Sequence, residues 1–573
     1  MAEPSLQLGN GNWAGKSGNL LAYHKANNNF YADELTFARA STGTIVNADG
    51  LIEQVPYNLA SYSEQFDNAY WAKSGASVTS GFTSPIGDLS AFKLTESSAS
   101  GVHLLANTAV STNGLVSGSI YAKYLSRYLR LTIHDTTNAN EWYSVIYDLE
   151  NGTIYDSLAK TVTVFDSEIE QMTDGYYRCV INADLGASSS TILYTQTSNG
   201  AAISSADDRG RCQYQGDGTS GIYIYGAQLN SGSTAKTYYP TTTRLNVPRV
   251  DYLNNSNGSL LLESQRTNLI TQSSNLSLLS KVSVGTASAP VTTANYATSP
   301  DGTMNATRVV FDLNGGSGRS ILRQAIPLGS DYYFSIYVKS TDGTDQKVMW
   351  HDGGEQITTT VTNEWQRITY DARSGVTYAG IALNANSGVD TSDILVWGFQ
   401  VEIGSYPTSY IPTSGTTVTR NLDTFYSDTN AIGQTEGTFY LETVPLNSLT
   451  SYTERVVQFE SSGSDFMTIQ RSANSTITFY GTDGVNSWSI VQIGLFVGGE
   501  TIKIAGAYKD NDIALYVNGV QIGTNTSASA PQTQKLRFAN NASGSLGYIG
   551  SHQEFQLYKT RLTNAELATL TTI

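Results

Sequence analysis

The sequence predicts an all-β protein made of several β-sandwich domains. A strand segment at Ser220–Gly232 recurs at Ser392–Gly404, and five identical residues within and just after these segments are each separated by 172 positions. Short alternations of apolar and polar residues are separated by Gly, Asn and Asp turns every 8 to 12 residues or so, which is typical of sandwiches and jelly rolls. The 573 residues exceed the roughly 250 to 300 that a single core supports. We therefore expect similar β-domains in tandem.

The composition indicates which classes of molecule the protein can bind. Charged residues make up 14% of the chain, well below the roughly 25% of ordinary domains. The net charge of −16 would repel a phosphate backbone, so nucleic-acid binding is not expected, whereas a neutral glycan would not be repelled. The sequence contains no apolar run of about 18 residues and no basic or hydrophobic leader. We expect no membrane insertion and folding in a cytoplasm.

Residues 1–34 show little periodicity and are expected to lack a core of their own. Exposing several large apolar side chains on such a segment is costly. Docking onto a partner is the prediction and a disordered tail is the alternative. The docking residues would be Trp13, Leu20, Leu21 and Tyr23.

Two β-hairpins are predicted at residues 35–57 and 244–267. The first contains Asp49-Gly50 and the second contains Asn257-Gly258, both between apolar stretches. These dipeptides favour tight hairpin turns because both residues tolerate positive φ. We expect each hairpin to form a collar in front of the domain that follows it.

The repeated domains span residues 58–243 and 268–421, and each is predicted to be a jelly roll. Ser119–Lys123 matches Ser335–Lys339 at an offset of 216, and Tyr177-Arg178 matches Gln366-Arg367 at 189, so the first copy holds 27 extra residues in between. They include a hairpin signal at Asn151-Gly152. The offset then falls to 172, which places 17 further residues in the first copy. We expect the first copy to make added contacts and the second to act as a spacer or sugar binder.

Residues 422–573 are predicted to form a different β-domain. Asn518-Gly519 predicts a tight turn, and Thr563 with Glu566 fits a capping box that starts a helix of barely two turns. The strands are expected at Gly437–Thr443, Val456–Glu460, Thr476–Tyr480, Ile502–Ala505, Ile513–Val517 and Phe555–Tyr558.

Catalytic motifs find little support, and the chain is predicted not to be an enzyme. The five histidines lack metal-like spacing, and Cys179 and Cys212 are expected to be free, buried thiols. Glycoside hydrolysis needs two carboxylates across the scissile bond. Three carboxylate pairs have strand spacing, although solvated edge charges explain them more simply: Asp148 with Glu150, Asp166 with Glu168, and Glu168 with Glu170.

Aromatic residues are the stronger indication of a binding site. Flat C–H faces of sugars pack on Tyr and Trp rings, although most aromatic residues in a sandwich belong to its core. The candidates for glycan contact lie next to polar, turn-rich segments: Trp142, Tyr143, Trp350 and Trp365. No cofactor is expected, and a structural calcium ion is the one metal considered, with oxygen ligands from Asp301–Asn305 or Asp207-Asp208.

Several motifs resemble those of bacteriophage virion proteins, namely fibre or head-fibre proteins of tailed phages, including crAss-like phages of Bacteroidota. The resemblance implies that the repeated unit is a jelly roll like a carbohydrate-binding module. Asp174–Arg178 and Asn363–Arg367 stand at the aromatic-arginine strand of that family, although Gln366 departs from it. The resembling motifs are Phe37–Thr44, Val46–Glu53, Pro248–Tyr252, Leu260–Leu269 and Gly398–Gly404 with Tyr410–Thr413.

The last domain is similar to laminin-G or concanavalin A-like sandwiches at Ala514–Gly519, Gly547–Gly550 and Leu562–Leu567. The resemblances imply a virion protein, made in the host cytoplasm, that is a homo-oligomer (dimer or trimer). Its N-terminal segment, which includes Leu8–Trp13, would bind the capsid or other virion proteins, and its sandwiches would bind host-surface glycans. The alternatives are a glycan depolymerase of a tail fibre or tailspike, and a purely structural decoration protein that stabilises the capsid.

Overall fold

The protein is nearly all β in the computed structural model. Contacts divide the chain into two compact units, Pro56–Arg244 and the discontinuous pair Met1–Val55 with Leu245–Ile573. The structure describes residues 2–13, 15–16, 19–24, 29–55, 58–112, 114–186, 189–200, 206–232, 234–236, 238–243, 245, 247–327, 331–372, 375–428, 430–446, 453–462, 465–530, 533–538 and 548–573.

Within the described residues, six strands precede the first jelly roll. Two of them form the hairpin predicted around Asp49-Gly50, with Val46 opposite Ile52. The six are β1 (Leu6–Gly9), β2 (Gly15–Lys16), β3 (Asn19–His24), β4 (Asn29–Ala38), β5 (Gly43–Val46) and β6 (Ile52–Val55).

The first jelly roll consists of two antiparallel sheets around one apolar core. In the first sheet the strands run in the order β16-β15-β14-β19-β11-β7, with β12 on β19, and in the second the order is β17-β18-β13-β21-β9-β8. The strands are β7 (Trp71–Ser74), β8 (Ala76–Phe82), β9 (Ala91–Glu96), β10 (Ser100–Gly101), β11 (Leu104–Asn107), β12 (Val110–Thr112), β13 (Leu115–Tyr124), β14 (Tyr128–Asp135), β15 (Trp142–Asp148), β16 (Thr153–Lys160), β17 (Phe165–Gln171), β18 (Tyr176–Asp184), β19 (Ser189–Ser198), β20 (Tyr214–Gln215) and β21 (Gly221–Ser231).

The second jelly roll repeats this framework with two five-stranded sheets, β25-β28-β33-β30-β31 and β26-β27-β34-β29-β32. Its strands and the connector strands before it are β22 (Val250–Asp251), β23 (Ser259–Leu262), β24 (Arg266–Asn268), β25 (Ser280–Val284), β26 (Ser288–Ala297), β27 (Ala306–Asp312), β28 (Arg319–Ala325), β29 (Tyr332–Ser340), β30 (Gln346–His351), β31 (Glu355–Val361), β32 (Gln366–Ala372), β33 (Tyr378–Asn384), β34 (Thr391–Ile403) and β35 (Val418–Arg420).

The two copies differ where the offsets predict. The 27-residue insertion supplies β16 and β17, which add one outermost strand to each sheet of the first copy. The 17 further residues lie ahead of β21, and part of this connection covers the outer face of the first sheet, where the Arg130 guanidinium donates to the Gly210 carbonyl at 2.7 Å. Asp148 pairs with Thr153 across the hairpin predicted at Asn151-Gly152.

The duplicated segment fixes the end of each sandwich through equivalent contacts. Gly226 and Gly398 both have positive φ, at 58° and 65°, and an added Cβ would lie 3.0 Å from a tyrosine ring in each case. The side chain of Asn58 donates to two carbonyls of its own copy, at 3.1 and 2.9 Å, and that of Asn268 does the same at 3.2 and 2.9 Å. The repeat therefore preserves the same glycine–tyrosine packing and asparagine hydrogen bonds in each jelly roll, and we call this set of contacts the clasp.

The C-terminal sandwich has an eight-stranded and a nine-stranded sheet, and it ends in the short helix α1 (Asn564–Leu570) with the predicted capping box of Thr563 and Glu566. Its own strands are β36 (Thr424–Asp428), β37 (Glu436–Pro445), β38 (Glu454–Ser462), β39 (Asp465–Ser472), β40 (Thr476–Asp483), β41 (Ser487–Gln492), β42 (Ile502–Lys509), β43 (Ile513–Val517), β44 (Val520–Asn525), β45 (Lys535–Phe538) and β46 (Gly550–Tyr558).

The N-terminal segment and both collars differ from the sequence-based expectation. Strand β1 pairs with β46, β4 pairs with β36, and the connector strand β23 also pairs with β46. Strands from the predicted anchoring segment (1–34) and from the predicted connector hairpin (244–267) therefore belong to the C-terminal sandwich. Leu6, Leu8 and Leu260 lie in its core. The hairpin of β5 and β6 packs on the second jelly roll, with Ile52 against Trp397, whereas the expectation assigned it to the first. Apolar side chains at these positions are buried by strands distant in sequence.

Three guanidinium and three carboxylate groups form a buried ionic junction between the strands before the second jelly roll, that jelly roll and the C-terminal sandwich. Arg39 donates to Asp423 at 3.0 Å, Arg249 donates to Asp423 and to Glu263 at 2.7 Å, and Arg420 lies 2.8 Å from Glu263. Glu402, the third carboxylate, accepts from the Thr408 amide at 2.9 Å. All six side chains are at most 1% exposed. Four of the six groups come from the motifs that carry the resemblance, namely Arg39, Arg249, Glu263 and Glu402, so these motifs contribute most of the junction.

The junction governs the ionisation of its members. Burial alone would raise the pKa of Glu263, but the charges of Arg420 and Arg249 outweigh it and hold the pKa at about 2. Burial lowers the pKa of Arg39 to about 10, against the attraction of Asp423. Three positive and three negative groups balance, which is the condition for burying charge at tolerable cost.

The prediction for the two cysteines is confirmed. Cys179 and Cys212 are free and buried, and burial raises the pKa of both thiols. In the described part of the chain no helix is long and apolar enough to span a membrane.

Candidate ligand-binding cleft

A cleft of about 620 Å³ opens at one end of the second jelly roll. Two chain connections form it, the turn between β30 and β31 and the connection from β32 to β33. Binding sites for small ligands commonly have volumes of roughly 300 to 1,000 Å³. The cleft is lined by Asp352, Gly353, Gly354, Tyr370, Asp371, Gly375, Val376 and Thr377.

The first wall of the cleft is a tight glycine turn. The Asp352 amide donates to the Gly354 carbonyl at 3.1 Å, and the Thr377 amide donates to the Asp352 carbonyl at 3.4 Å, which ties the two connections together. Gly353 has φ of 124°, a value that L-residues rarely adopt. The sequence Asp-Gly-Gly thus shapes the turn and leaves backbone accessible beside a carboxylate.

Tyr370 forms a rigid second wall. Its hydroxyl donates to Asp352 at 2.8 Å, and its ring stacks on Trp350 with centroids 5.9 Å apart and an interplanar angle of 19°. Burial, with the carboxylates of Asp352 and Asp371, raises the pKa of this tyrosine above its usual value. The phenol therefore stays protonated and keeps its hydrogen bond to Asp352 at neutral pH.

The polar groups of the cleft are mainly hydrogen-bond acceptors. Asp352 is half-buried and Asp371 is exposed. Ionised carboxylates accept hydrogen bonds and repel anions. A ligand rich in hydroxyl donors and without negative charge, such as a neutral sugar, satisfies this arrangement.

The aromatic residues predicted for glycan contact lie elsewhere. Trp142, Tyr143 and Trp350 are only 1% to 2% exposed, so their rings present no face to a ligand. Trp142 lies under the connection at Gly210, and Tyr143 and Trp350 belong to the cores of the two jelly rolls. This corrects the expectation for these three residues, and Trp350 instead supports the ring of Tyr370.

Trp365 has a structural partner. It is half-buried, and its indole N–H donates to the Thr298 carbonyl at 3.2 Å. In the first copy the hydroxyl of Tyr176 makes the equivalent bond to the Thr83 carbonyl at 2.8 Å. Both side chains hold the same loop of the framework, so sugar contact by Trp365 remains an untested prediction.

Several residues of the predicted acid pairs and calcium sites have local partners. Asp148 caps its hairpin turn, whereas Glu168 lies on β17, at the exposed edge of its sheet. The Asp301 carboxylate accepts from Thr303 and Asn305 within one loop, and the Asp207 carboxylate accepts from Arg211. Among the described residues no group of three or more His, Cys, Asp or Glu side chains could hold a metal. Calcium binding stays a prediction.

The predicted virion-anchoring residues lie in two places. The indole N–H of Trp13 donates to the Asn257 carbonyl at 2.9 Å, and its ring packs against the C-terminal core. Leu20, Leu21 and Tyr23 lie on β3 in the nine-stranded sheet, and their side chains are outside the described residues. The segment thus completes the C-terminal sandwich, and binding to a virion partner stays a prediction.

Sequence reasoning missed Asp352, Tyr370 and Asp371. The available signal was Asp352-Gly353-Gly354, a carboxylate followed directly by two glycines at the end of a strand. This pattern predicts an open turn. The spacing of 18 residues between Asp352 and Tyr370 gives no indication that they meet. Their contact depends on the packing of the two sheets against each other, because β30 and β32 lie in different sheets.

Comparison with known proteins supports the fold. A family model described as the concanavalin A-like lectin/glucanases superfamily matches residues 428–568. This assigns the C-terminal sandwich to a laminin-G or concanavalin A-like domain. No curated protein matches the chain.

Solved structures similar to this chain include carbohydrate-binding modules. The Ruminococcus gnavus IT-sialidase module CBM40, bound to α2,3-sialyllactose, is 14% identical over 25% of this chain and 84% of that structure, with a TM-score of 0.22. Domain 4 of the Geobacillus stearothermophilus arabinanase AbnA, in complex with arabinotriose, is 13% identical over 26% and 73%, with a TM-score of 0.23. At these values the likeness carries no argument about what this chain binds.

Proposed function

We propose that this chain is a structural, non-enzymatic protein of a bacteriophage virion, a capsid-attached fibre or decoration that presents glycan-binding β-sandwiches to the host surface. The motifs that form the buried junction support the virion assignment through their resemblance to head-fibre proteins. The acceptor-rich cleft of the second jelly roll carries the binding part of the proposal. Two carboxylates beside a fixed tyrosine match a neutral, hydroxyl-rich ligand.

The binding proposal is tested on a glycan array with the full-length chain. We expect binding to neutral glycans and loss of binding for Asp371→Asn, since the amide replaces an acceptor oxygen with a donor group. Asp331→Asn is the matched control, because Asp331 is also exposed on the second jelly roll and does not line the cleft. Absence of glycan binding, or equal loss in both variants, would overturn the assignment of the cleft.

The virion proposal has a separate test. Immunogold labelling of purified particles should place the protein on the capsid surface, and its absence from particles would refute the proposal. Deleting the C-terminal sandwich is unsuitable as a test of adsorption, because β1 and β4 pair with strands of that domain. Point variants of the cleft leave this strand pairing intact.

A depolymerase is the second candidate, because Asp352 and Asp371 share one cleft. Glycoside hydrolysis uses two carboxylates in this way. Release of reducing ends from host polysaccharide, abolished by Asp352→Asn and by Asp371→Asn but retained in Asp331→Asn, would decide for the enzyme. Glycan binding without release would decide for the fibre.

A further inference from the structure

One sheet of the second jelly roll concentrates positive charge in a chain whose net charge is −16. The strands β25-β28-β33-β30-β31 carry four lysine and arginine residues and a single acidic residue. Charges further away than about 8 Å are largely screened at physiological ionic strength, so the local potential here is positive. The four bases are Lys281, Arg319, Arg323 and Lys347, and the acid is Glu355.

Three aligned apolar residues form the middle of the outer face of this sheet. The strand register sets Ile321 opposite Ala382, and Ala382 opposite Met349. Their neighbours along the three strands lie in the core of the jelly roll, so these side chains project from the other side of the sheet. Ala382, the smallest of them, lies on the central strand β33, which lowers the surface between the two larger side chains.

Basic side chains lie on both sides of this apolar row. Arg319 and Arg323 are each two residues from Ile321 on β28. Lys347 is two residues from Met349 on β30. Since side chains alternate along a strand, all three bases share the outer face. At about 3.3 Å per residue the Cα atoms of the two arginines are roughly 13 Å apart, so a polymer with repeated negative groups reaches both.

The guanidinium group of Arg323 is held in place and has donors to spare. Its central carbon lies 3.7 Å from the centroid of the Tyr378 ring, and Nη1 donates to Nε2 of His351 at 3.2 Å. Gly380 lies between Arg323 and His351 in the register and has no side chain to intervene. Among the side chains that the structure describes, no carboxylate pairs with Arg323. The rest of its five N–H donors therefore suit a bidentate bond to a carboxylate from outside.

The first jelly roll contains an arginine of this kind with a carboxylate already bound. Arg211 lies over the ring of Tyr194, 5.7 Å from its centroid, on the outer face of the corresponding sheet. Its Nη2 atom lies 2.7 Å from the Asp207 carboxylate. Arg211 and Asp207 both belong to the connection that covers this face, so the first copy supplies its own acid.

The second copy lacks this covering connection. Strands β33 and β34 are joined by residues 385–390 alone. Their one carboxylate, Asp390, accepts from the Gly315 amide at 2.8 Å and so is held away from Arg323. The second copy thus retains an arginine stacked on a tyrosine without the internal acid.

We propose that this outer face is a second binding site, which takes a carboxylated polysaccharide. Arg323 and Lys347 bind its carboxylates, and the hydroxyls of Thr358 and Thr360 on β31 face its sugar hydroxyls. The inference rests on the proposed function only in that the ligand is a glycan, because the face and its charge are separate from the cleft.

Other polyanions fit this face less well. Strands β28, β33 and β30 each pair with a neighbour on both sides, so an acidic polypeptide has no free strand edge to join there. The net charge of −16 opposes the continuous phosphates of a nucleic acid.

Calorimetric titration of the full-length chain with polygalacturonate tests the proposal. We expect binding that weakens as salt is added, and a loss of about 10-fold or more in affinity for Arg323→Gln, since hydrogen bonds to charged groups are the strong ones. Lys347→Gln should also weaken binding, and it leaves the contact between Arg323 and Tyr378 intact. Arg308→Gln is the matched control, because it makes the same change of charge on β27 in the other sheet.

Several outcomes would overturn the proposal: no binding of polygalacturonate, equal weakening in Arg308→Gln, or equal binding of the polymer after its carboxyl groups are reduced. Displacement by poly-L-glutamate as effective as by free polygalacturonate would assign the face to acidic polypeptides instead. The neutral glycan array separates this site from the cleft. Neutral binding without polygalacturonate binding would remove this inference alone, and the reverse would remove only the assignment of the cleft.

Discussion

The strongest quantitative prediction concerns Asp423, at the centre of the buried ionic junction. It accepts from Arg39 at 3.0 Å, from Arg249 and from the Glu263 amide at 2.9 Å. In Asp423→Asn the junction keeps three guanidinium groups but only two carboxylates, and one amide N–H₂ then faces donors. Breaking a buried pair in this way costs about 3 to 5 kcal/mol. Since domains are stable by only about 5 to 15 kcal/mol, about a fifth or more of the stability should be lost.

Urea denaturation followed by tryptophan fluorescence measures this loss. The matched control is Asp428→Asn, because Asp428 pairs with Lys535 at 3.3 Å with 73% of its side chain exposed, and such pairs contribute about 0 to 1 kcal/mol. The effect at Asp423 should persist in high salt, since buried charges are little screened. A loss below about 1 kcal/mol, or one equal to that of the control, would refute the reasoning.

A double substitution sharpens the test. Arg39→Met in the Asp423→Asn background leaves two guanidinium and two carboxylate groups, which restores neutrality. The double variant should therefore lose clearly less stability than the sum of the two single variants, with a coupling of about 0.5 to 3 kcal/mol. Strict additivity would show that charge balance does not govern the junction.

Three further predictions concern other parts of the fold. Burial lowers the pKa of His552 to about 3 from 6.5, so the stability that its neutral ring provides is complete above pH 6.5 and is lost as pH falls toward 3. Between pH 7 and pH 4.5 the free energy of unfolding of the natural chain should fall by about 2 to 3 kcal/mol more than that of His552→Gln. Urea denaturation at the two pH values measures this difference. Leu8→Ala should destabilise the C-terminal sandwich by about 2 to 5 kcal/mol in the same assay, whereas an unchanged midpoint would mean that β1 is not part of this domain. Gly398→Ala should lower the melting temperature more than Gly388→Ala, because both have positive φ but only Gly398 has a ring 3.0 Å from the added Cβ; equal shifts would contradict the clasp.

Local patterns allowed much of the fold to be predicted. The turn at Asp49-Gly50, the capping box at Thr563 and the two jelly-roll copies depend on neighbouring residues or on an internal repeat, both of which are visible in sequence. The insertion lengths also located the added strands. These features require no knowledge of distant pairing.

Pairing between distant segments could not be predicted. Leu6 lies opposite Leu557 in the register of β1 and β46, and no local signal links them. The burial of Trp142 likewise depends on a connection near Gly210 that covers an outer sheet face. An alternating strand shows which residues share a face, but not whether a loop covers that face.

The cleft was missed for a related reason. Asp352 lies in the turn after β30 and Tyr370 lies on β32, and each looks ordinary in its own sequence context. The sequence pattern favoured Trp350 as the ligand-binding residue, whereas in the structure Trp350 is buried and packs against the ring of Tyr370. The candidate site therefore emerges only when the strands of the second jelly roll are assembled.

The pairing of β1 with β46 also determines when the C-terminal sandwich can complete its folding. Leu6 leaves the ribosome long before its partner Leu557, and at about 5 to 20 residues per second the delay is roughly 30 to 110 s. During this time both jelly rolls can fold, while the first strand waits without its partner. A chain that terminates before β46 leaves Leu6 and Leu8 without the strand that covers them.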